Sequence, residues 1–588
     1  MIFTYIPKFM NTRYQTIIFL SLFILPLIGF SQLKEEVLNV GKQKNPEVNV
    51  KNIQKKKSNP DRYPSADDQT TVKDTLKYVI VNIPATSEFQ TSQLPPQPLN
   101  TDFKEPYYDN YAKVGYGTGN TLLGDVYFNY SINNHLAGVK FFTLSTDGPK
   151  SRYDWKTSSS NIDAEAFYIS KLKDGKLHLA GNYVYNGSNY YGLAIPEFYA
   201  TSGMDLKQNA HKITFKSDYD MYSNNYLDKA SLQAGYWWDK FDSKESFVDV
   251  KAKLAKSDES AAMVLSDLNF GVEADVLFNY THTQFGLDTE NRYTYLTAGF
   301  SPVLKISTGG SYLKLGADIA YNGELEGNNT KFLFHPKMEF LFHAIRNINV
   351  YAGIDGGLKL NTMADLSVEN PYLFSNQILR PTNTLYKVYA GIKAYVGESI
   401  KYEVEASFSK AENLFFYKRN PYEFYPILLK PYNRLNTFTA VYDNGNIMNV
   451  KGVLQYFWNG NLVFGIEGEY NNYNLDDLKH AYHLPDFKAG LNAEYKDLED
   501  RLRLGAKLFF TGERKSNYYY YDPTTFSVYE KVVDLNSYVD LNLSASYQIT
   551  NRFSLFINGA NLFGKNYERF QGYKVLGTQI LGGVLVKF

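Results

Sequence analysis

The sequence predicts an all-β protein: a transmembrane, antiparallel, up-and-down β-barrel of about 22 strands behind a short extended arm. Three observations predict it. Apolar residues recur at every second position in stretch after stretch from Tyr107 onward. The connections between these stretches alternate strictly between short polar turns and long links. The chain closes on "INGANLFGKNYERFQGYKVLGTQILGGVLVKF", with Ile580, Gly582, Val584, Val586 and Phe588 on one parity and nothing solubilising after them.

Composition limits the alternatives. The chain has 51 tyrosines and 40 phenylalanines among 588 residues, yet its mean hydropathy is −0.36. Such a chain is either a string of soluble β-domains or one barrel whose strands are apolar on one face. Its 61 basic and 61 acidic residues cancel, so no global field draws it to nucleic acid. Cysteine is absent, which excludes disulfides, thiolate zinc sites and a cysteine-linked lipid.

Taken from the start, Lys8 and Arg13 precede "TIIFLSLFILPLIGFSQ". That apolar core of about 13 residues ending in small ones predicts a secretory signal over residues 1–31, cleaved after Ser31. A membrane anchor needs about 20 apolar residues. Met10 serves equally well as the first residue. Residues 32–105 are polar and proline-dotted, as in "NIQKKKSNPDRYP" and "QLPPQP", and predict an extended, largely disordered periplasmic arm. Within it "LKYVIVNIP", Leu76 to Pro84, reads as a single strand or a docking segment.

The barrel is expected over residues 106–588. In "YVDLNLSASYQ", Val539, Leu541, Leu543, Ala545 and Tyr547 alternate with polar residues, and "YEVEASFS" and "LRLGAKLFF" repeat the pattern. Each stretch is long enough to cross a bilayer at a tilt, where about 9–11 residues suffice. Short turns such as "INNH", "STGGS", "VGESI" and "WNGN" alternate with long links such as "NTMADLSVENPYLFSNQILRPTNT". An up-and-down barrel with one periplasmic and one outer rim has that alternation, and soluble sandwiches have no reason to keep it. The polar parity carries Asp249, Lys251, Glu273, Asp275, Asp318, Glu403, Glu405, Glu467, Glu469, Arg503 and Asp540. Facing lipid, such charges cost roughly 2–4 kcal/mol near the midplane, so they are assigned to a wet lumen. Val584, Val586 and Phe588 are assigned to the strand that closes the barrel against "NYAKVGYGTGN".

"YAKVGYGTGNTLLGDVYFNYSIN", "INVYAGIDGGLKLNTMADLSVENPYLFSNQILRPTNT" and "GANLFGKNYERFQGY" resemble the barrels of TonB-dependent receptors, in the form common among Bacteroidota. The resemblance covers about residues 106–588. It implies a Gram-negative outer membrane as location, with membrane lipid around the barrel and the barrel-assembly machinery engaging the C-terminal strand. Receptors of that family carry an N-terminal plug and a short box that engages TonB. Residues 32–105 show no plug-like repeat of strands, so the resemblance points to a plugless form.

Motifs for chemistry are thin. No nucleophile elbow, phosphate loop or paired-carboxylate motif stands out, so no catalytic residue, no enzyme activity and no cofactor is assigned. His480 and His483 in "DDLKHAYHLPD" read as solvated loop residues rather than metal ligands. Phe415, Phe416, Tyr417 and Tyr422 in "FFYKRNPYEFYP", and Tyr518, Tyr519 and Tyr520 in "NYYYYDP", are candidates for contact outside the cell. The competing reading puts these rings in an interfacial girdle or in loop-on-loop packing. Trp237, Trp238 and Trp458 are expected in the girdle.

Two function classes follow. One is a channel or uptake barrel that passes or binds a solute. The other is a non-transporting barrel subunit of an envelope complex, docking a periplasmic or surface protein. A lumen 22 strands wide is normally plugged. The arm, inward-folded loops or a partner protein could each fill it.

Overall fold

The computed structural model describes residues 110–588, apart from 150–154, 194–204, 223–225, 259–267, 288–289, 328, 346, 422–429, 433, 498, 500, 523 and 526. The signal, the arm with "LKYVIVNIP", and Tyr422 lie outside the described residues.

Of the strands β1 to β26, 22 form one closed sheet. Each pairs antiparallel with its neighbour in the chain, and β1 (Tyr111–Gly117) pairs with β26 (Gln579–Lys587) to close the ring. Val114 faces Val584, Ala112 faces Val586, and Phe588 N–H donates to Asn110 C=O at 3.0 Å. The apolar tail is thus the last stave of a barrel with no free end. Here the first and last strands approach closely: a Cβ on Gly583 would lie 2.0 Å from the Val114 carbonyl oxygen. The ring of Phe556 lies over Gly583 and Gly115 in place of their missing side chains.

Period two sorts the wall. One parity is apolar and exposed, as at Val250, Phe278, Val404, Ile466, Leu543, Ile580, Val584 and Phe588. The other parity carries the charges. Only the first can meet lipid, so the second faces the lumen. Among the described residues no helix is long and apolar enough to cross a membrane.

Turns and long links do fall on opposite rims, but their lengths do not alternate strictly. The long-link rim also holds the brief connections 118–120, 240–243 and 325–328, and the turn rim holds the longer 259–268. Alternation of sides is imposed by antiparallel pairing, whereas length is free. Two hairpins stand outside the ring: β20 (Arg514–Asp522) with β21 (Ser527–Leu535), and β24 (Glu568–Phe570) with β25 (Tyr573–Lys574).

Candidate functional site

The lumen wall is built of paired charges. On β15 (Ile400–Arg419), Glu405 lies 3.7 Å from Lys387 and 3.3 Å from Lys451. Glu403 lies 3.5 Å from Lys393, and Tyr351 Oη donates to both glutamates at 3.2 and 3.1 Å. Glu273 meets Lys253 at 3.4 Å, and Glu467 meets Lys507 at 3.5 Å. Asp249 accepts from Asn279, Glu469 from Asn449 and Asp318 from Ser301; Asp540, expected on the wet wall, is instead fully buried and accepts from Tyr567 of a long link, because that link packs over the upper end of its strand. Asp275 lies opposite Lys253 and Ser301 in register, Lys251 opposite Ser231, and Arg503 opposite Ser546. The structure thus brings Glu403 and Glu405 together around one tyrosine and spreads the other candidates around the ring. Two large rings keep the passage wide by lying flat on the wall. Tyr389 covers Gly353 and Tyr351 covers Gly391, where a Cβ would sit about 2.5 Å and 2.4 Å from the ring.

Toward the long-link rim the lumen changes character. Residues 360–381, between β13 (Ile348–Lys359) and β14 (Thr382–Val396), cross the mouth as a strap. Its helix α1 (Met363–Glu369) begins at Thr362, whose hydroxyl accepts from Asp365 N–H at 3.2 Å. The orphan amides of Met363 and Ala364 donate, at 2.7 and 3.1 Å, to the fully buried carboxylate of Glu245 on the facing wall. Further along, Tyr190 donates to Leu373 C=O, Ser243 to Ser375 C=O, and Tyr295 to Leu379 C=O. Phe374 and Tyr372 exchange backbone bonds with Phe438 at 2.9 and 3.0 Å. The strap is therefore tied to walls far apart around the barrel.

Other connections pack onto it. Tyr573 stacks on Tyr372 with ring centres 3.5 Å apart, and Tyr191 meets Tyr573 edge-on at 4.7 Å. A single buried cluster joins Trp237, Phe285, Met363, Leu366, Leu373, Tyr417, Phe438, Phe570 and Tyr573. Three arginines bind this core through backbone carbonyls. Arg419, 2% exposed, donates to Leu435 C=O, to Gly192 C=O at 2.7 Å and to Gln571 at 2.6 Å. Arg514 donates to the carbonyls of Glu568 and Arg569, and Arg569 to that of Glu369. Burial raises the Glu369 carboxyl above its ordinary range, against the pull of Arg569.

His483 sits in this core and is not solvated. It is 4% exposed and holds φ +64, a left-handed conformation that histidine tolerates better than most residues. Its Nδ1 lies 2.8 Å from Tyr417 C=O and its Nε2 2.9 Å from Ser516 Oγ. Burial, with help from the charges of Arg514 and Arg419, pushes its pKa down to about 3. Among the described residues no group of three or more metal-ligating side chains comes together.

The aromatic contact candidates divide. Phe416 and Tyr417 are buried on β15, and Phe415 packs against the same cluster, so none of the three faces outward. Packing of the long links is what holds them. Trp237, expected in the girdle, is also in the cluster. Tyr518 and Tyr519 are half-buried on β20, and Tyr520 stands exposed beside Tyr518, rings 4.8 Å apart. Sequence reasoning missed Glu245, Arg419, Arg514, Arg569 and Tyr573. Their partners lie up to hundreds of residues away, and no local signal marks them.

No protein-family model matches the chain, and no curated protein matches it in sequence. Solved structures do. The ferric-catecholate import receptor Fiu from E. coli K12 aligns with a TM-score of 0.60 at 11% identity, over 82% of each chain. The pyoverdine outer membrane receptor FpvA from Pseudomonas aeruginosa PAO1 aligns at 0.58 and 12%, over 82% of this chain and 78% of that one. The siderophore receptor PirA from Acinetobacter baumannii aligns at 0.59 and 11%, over 82% and 80%. At these identities the likeness is one of fold. The chain shares with these receptors a closed barrel of 22 strands.

Proposed function

We propose that the protein is an outer-membrane channel or uptake barrel that does without a plug and is shut by its own long links. The packed, strap-crossed mouth above a lumen walled by paired charges carries this reading. A wall that stays charged along its length suits passage of a hydrated solute, and a dry core at one end suits a closed resting state. The exposed rings of Tyr520 and Tyr529 on the β20–β21 hairpin favour a second reading, a barrel subunit that docks a surface protein and transports nothing.

Solute flux through proteoliposomes separates the two. The full chain should pass little, and a variant with residues 363–377 replaced by a short Gly-Ser linker should pass small sugars freely. Deleting Gln32 to Asn100 tests whether the arm adds a second barrier. If the strap-replaced barrel, shown to be folded by its heat-modifiable migration, passes nothing alone or together with the arm deletion, the docking reading takes over.

A further inference from the structure

Beyond α1 the strap runs as open chain, and alternate residues of it are sunk into the wall. Leu373, Ser375, Gln377 and Leu379 are each 1–2% exposed. Hydroxyls of the wall donate to the main-chain carbonyls of three of them: Tyr190 to Leu373 at 2.6 Å, Ser243 to Ser375 at 2.8 Å and Tyr295 to Leu379 at 2.8 Å. Along one edge the chain adds in parallel to the top of β16 (Phe438–Trp458). Phe374 N–H donates to Phe438 C=O there, and Phe438 N–H to Tyr372 C=O. The Gln377 amide extends that ladder, accepting from Ala440 N–H at 2.8 Å and donating to Phe438 C=O at 3.1 Å. On the other parity Ile378 is 49% exposed and Arg380 is exposed, so the chain lies on its seat and not beneath it.

Closure alone does not require this manner of holding. A lid needs bulk, and the rings of Tyr372 and Phe374 against Tyr573 and Tyr432 supply it. The hydroxyls of the wall and the top of β16 address something else, the carbonyls and amides that every peptide carries. Sequence enters only through the inward side chains, two leucines, a serine and a glutamine. Strand addition at a sheet edge, with pockets for alternate side chains, is a recurrent way to bind a peptide. An emptied seat would leave buried donors on Tyr190, Ser243, Tyr295 and Ala440 without these acceptors, which is costly. Exchange of one chain for another keeps those bonds, so it is easier than simple opening.

We propose that the seat of residues 371–379 is a groove for a foreign peptide in open conformation, and that the strap is its built-in stand-in, displaced when such a peptide binds. This rests on the uptake reading above and names the class of its cargo. The stand-in is tethered at both ends, which gives it an effective concentration on the order of millimolar. A cargo peptide therefore opens the mouth by fitting the inward parity better than Leu373, Ser375, Gln377 and Leu379 do.

The test uses the barrel whose residues 363–377 are replaced by the Gly-Ser linker and a fluorescent heptapeptide of the strap's own sequence, residues 371–377. Saturable binding by fluorescence anisotropy is expected, weakened about fivefold by Tyr190→Phe and by Ser243→Ala, the effect of one hydrogen bond each. A heptapeptide pool with Leu, Ser and Gln fixed at its third, fifth and seventh positions, and random elsewhere, should displace the probe. A pool with Asp at those three positions should not, because the seat would bury unpaired charge. No saturable binding to a barrel that still shows heat-modifiable migration would overturn the proposal. So would equal displacement by both pools, or binding indifferent to both wall substitutions. The two readings fail separately. Sugar flux without peptide binding would sink the groove and keep the uptake reading, whereas peptide binding without flux would keep the groove and sink uptake.

Discussion

The upper ends of β15 and β16 and their lower halves are continuous strand, yet they sit in different solvents. Arg419 and Phe438, at the top, are buried among rings and loop carbonyls. Glu403 and Lys451, below, are charges answered by opposite charges across a wet wall. In the mouth a guanidinium is held by uncharged oxygens brought from distant links, so losing it loosens several links together. On the wall each pair is local, so losing one leaves the rest standing. Stability is concentrated in the mouth and distributed in the wall.

Arg419→Ala tests that contrast most severely. It removes at least three bonds to groups near residues 192, 435 and 571, and should cost the mouth about 3 kcal/mol or more, since each buried acceptor left unpaired costs about 1–3 kcal/mol. Limited proteolysis should then cut the long links while heat-modifiable migration, a property of the barrel, is kept. Loss of the barrel as well would mean that mouth and wall are one cooperative unit.

A smaller effect follows from His483. It is neutral in the folded mouth because its pKa is depressed to about 3, while a released loop histidine titrates near its ordinary 6.5. The loosened state binds the proton, so stability is fully present above about pH 6.5 and falls as pH drops toward 3, by about 2 kcal/mol at pH 5. Proteolysis of the links should accelerate on acidification, and His483→Asn, which keeps the left-handed backbone accessible, should flatten that dependence. An unchanged pH profile in the variant would assign the acid sensitivity elsewhere.

Smallest is Glu467→Gln. Its carboxylate is about half exposed beside Lys507, so the change should shift thermal stability by less than about 1 kcal/mol. Its effect should instead appear as a weaker preference for cations in the strap-replaced barrel. A large loss of stability would show that the wall, too, is packed.

The wall was legible in the sequence because its signal is local: alternate residues declare their face, and Phe588 on the parity of Val584 declares its lipid side. The mouth was not legible, because its bonds join positions such as Tyr191 and Lys574 that share no neighbourhood in the chain. Phe415, Phe416 and Tyr417 read as outward rings because buried and exposed aromatics at a strand end look alike in sequence. His483 read as solvated from Asp476, Asp477 and Asp486 nearby in the chain, whereas the groups that surround it are Tyr417, Ser516 and Arg514. The early end of the ladder between β12 (Asn329–Ile345) and β13, at Met338, did have a local sign, Pro336 in an otherwise regular strand.

Thiol access to the lumen from outside the cell tests most directly whether the long links shut a hydrated barrel. Lys251 faces the lumen well below the Glu245 anchor, and Lys251→Cys would be the chain's one thiol. In intact cells a membrane-impermeant maleimide of about 500 Da should leave Lys251→Cys unlabelled. The same thiol should label rapidly once residues 363–377 are replaced, and also with the strap intact once the outer membrane is permeabilised. Rapid labelling in intact cells with the strap in place would contradict a closed mouth.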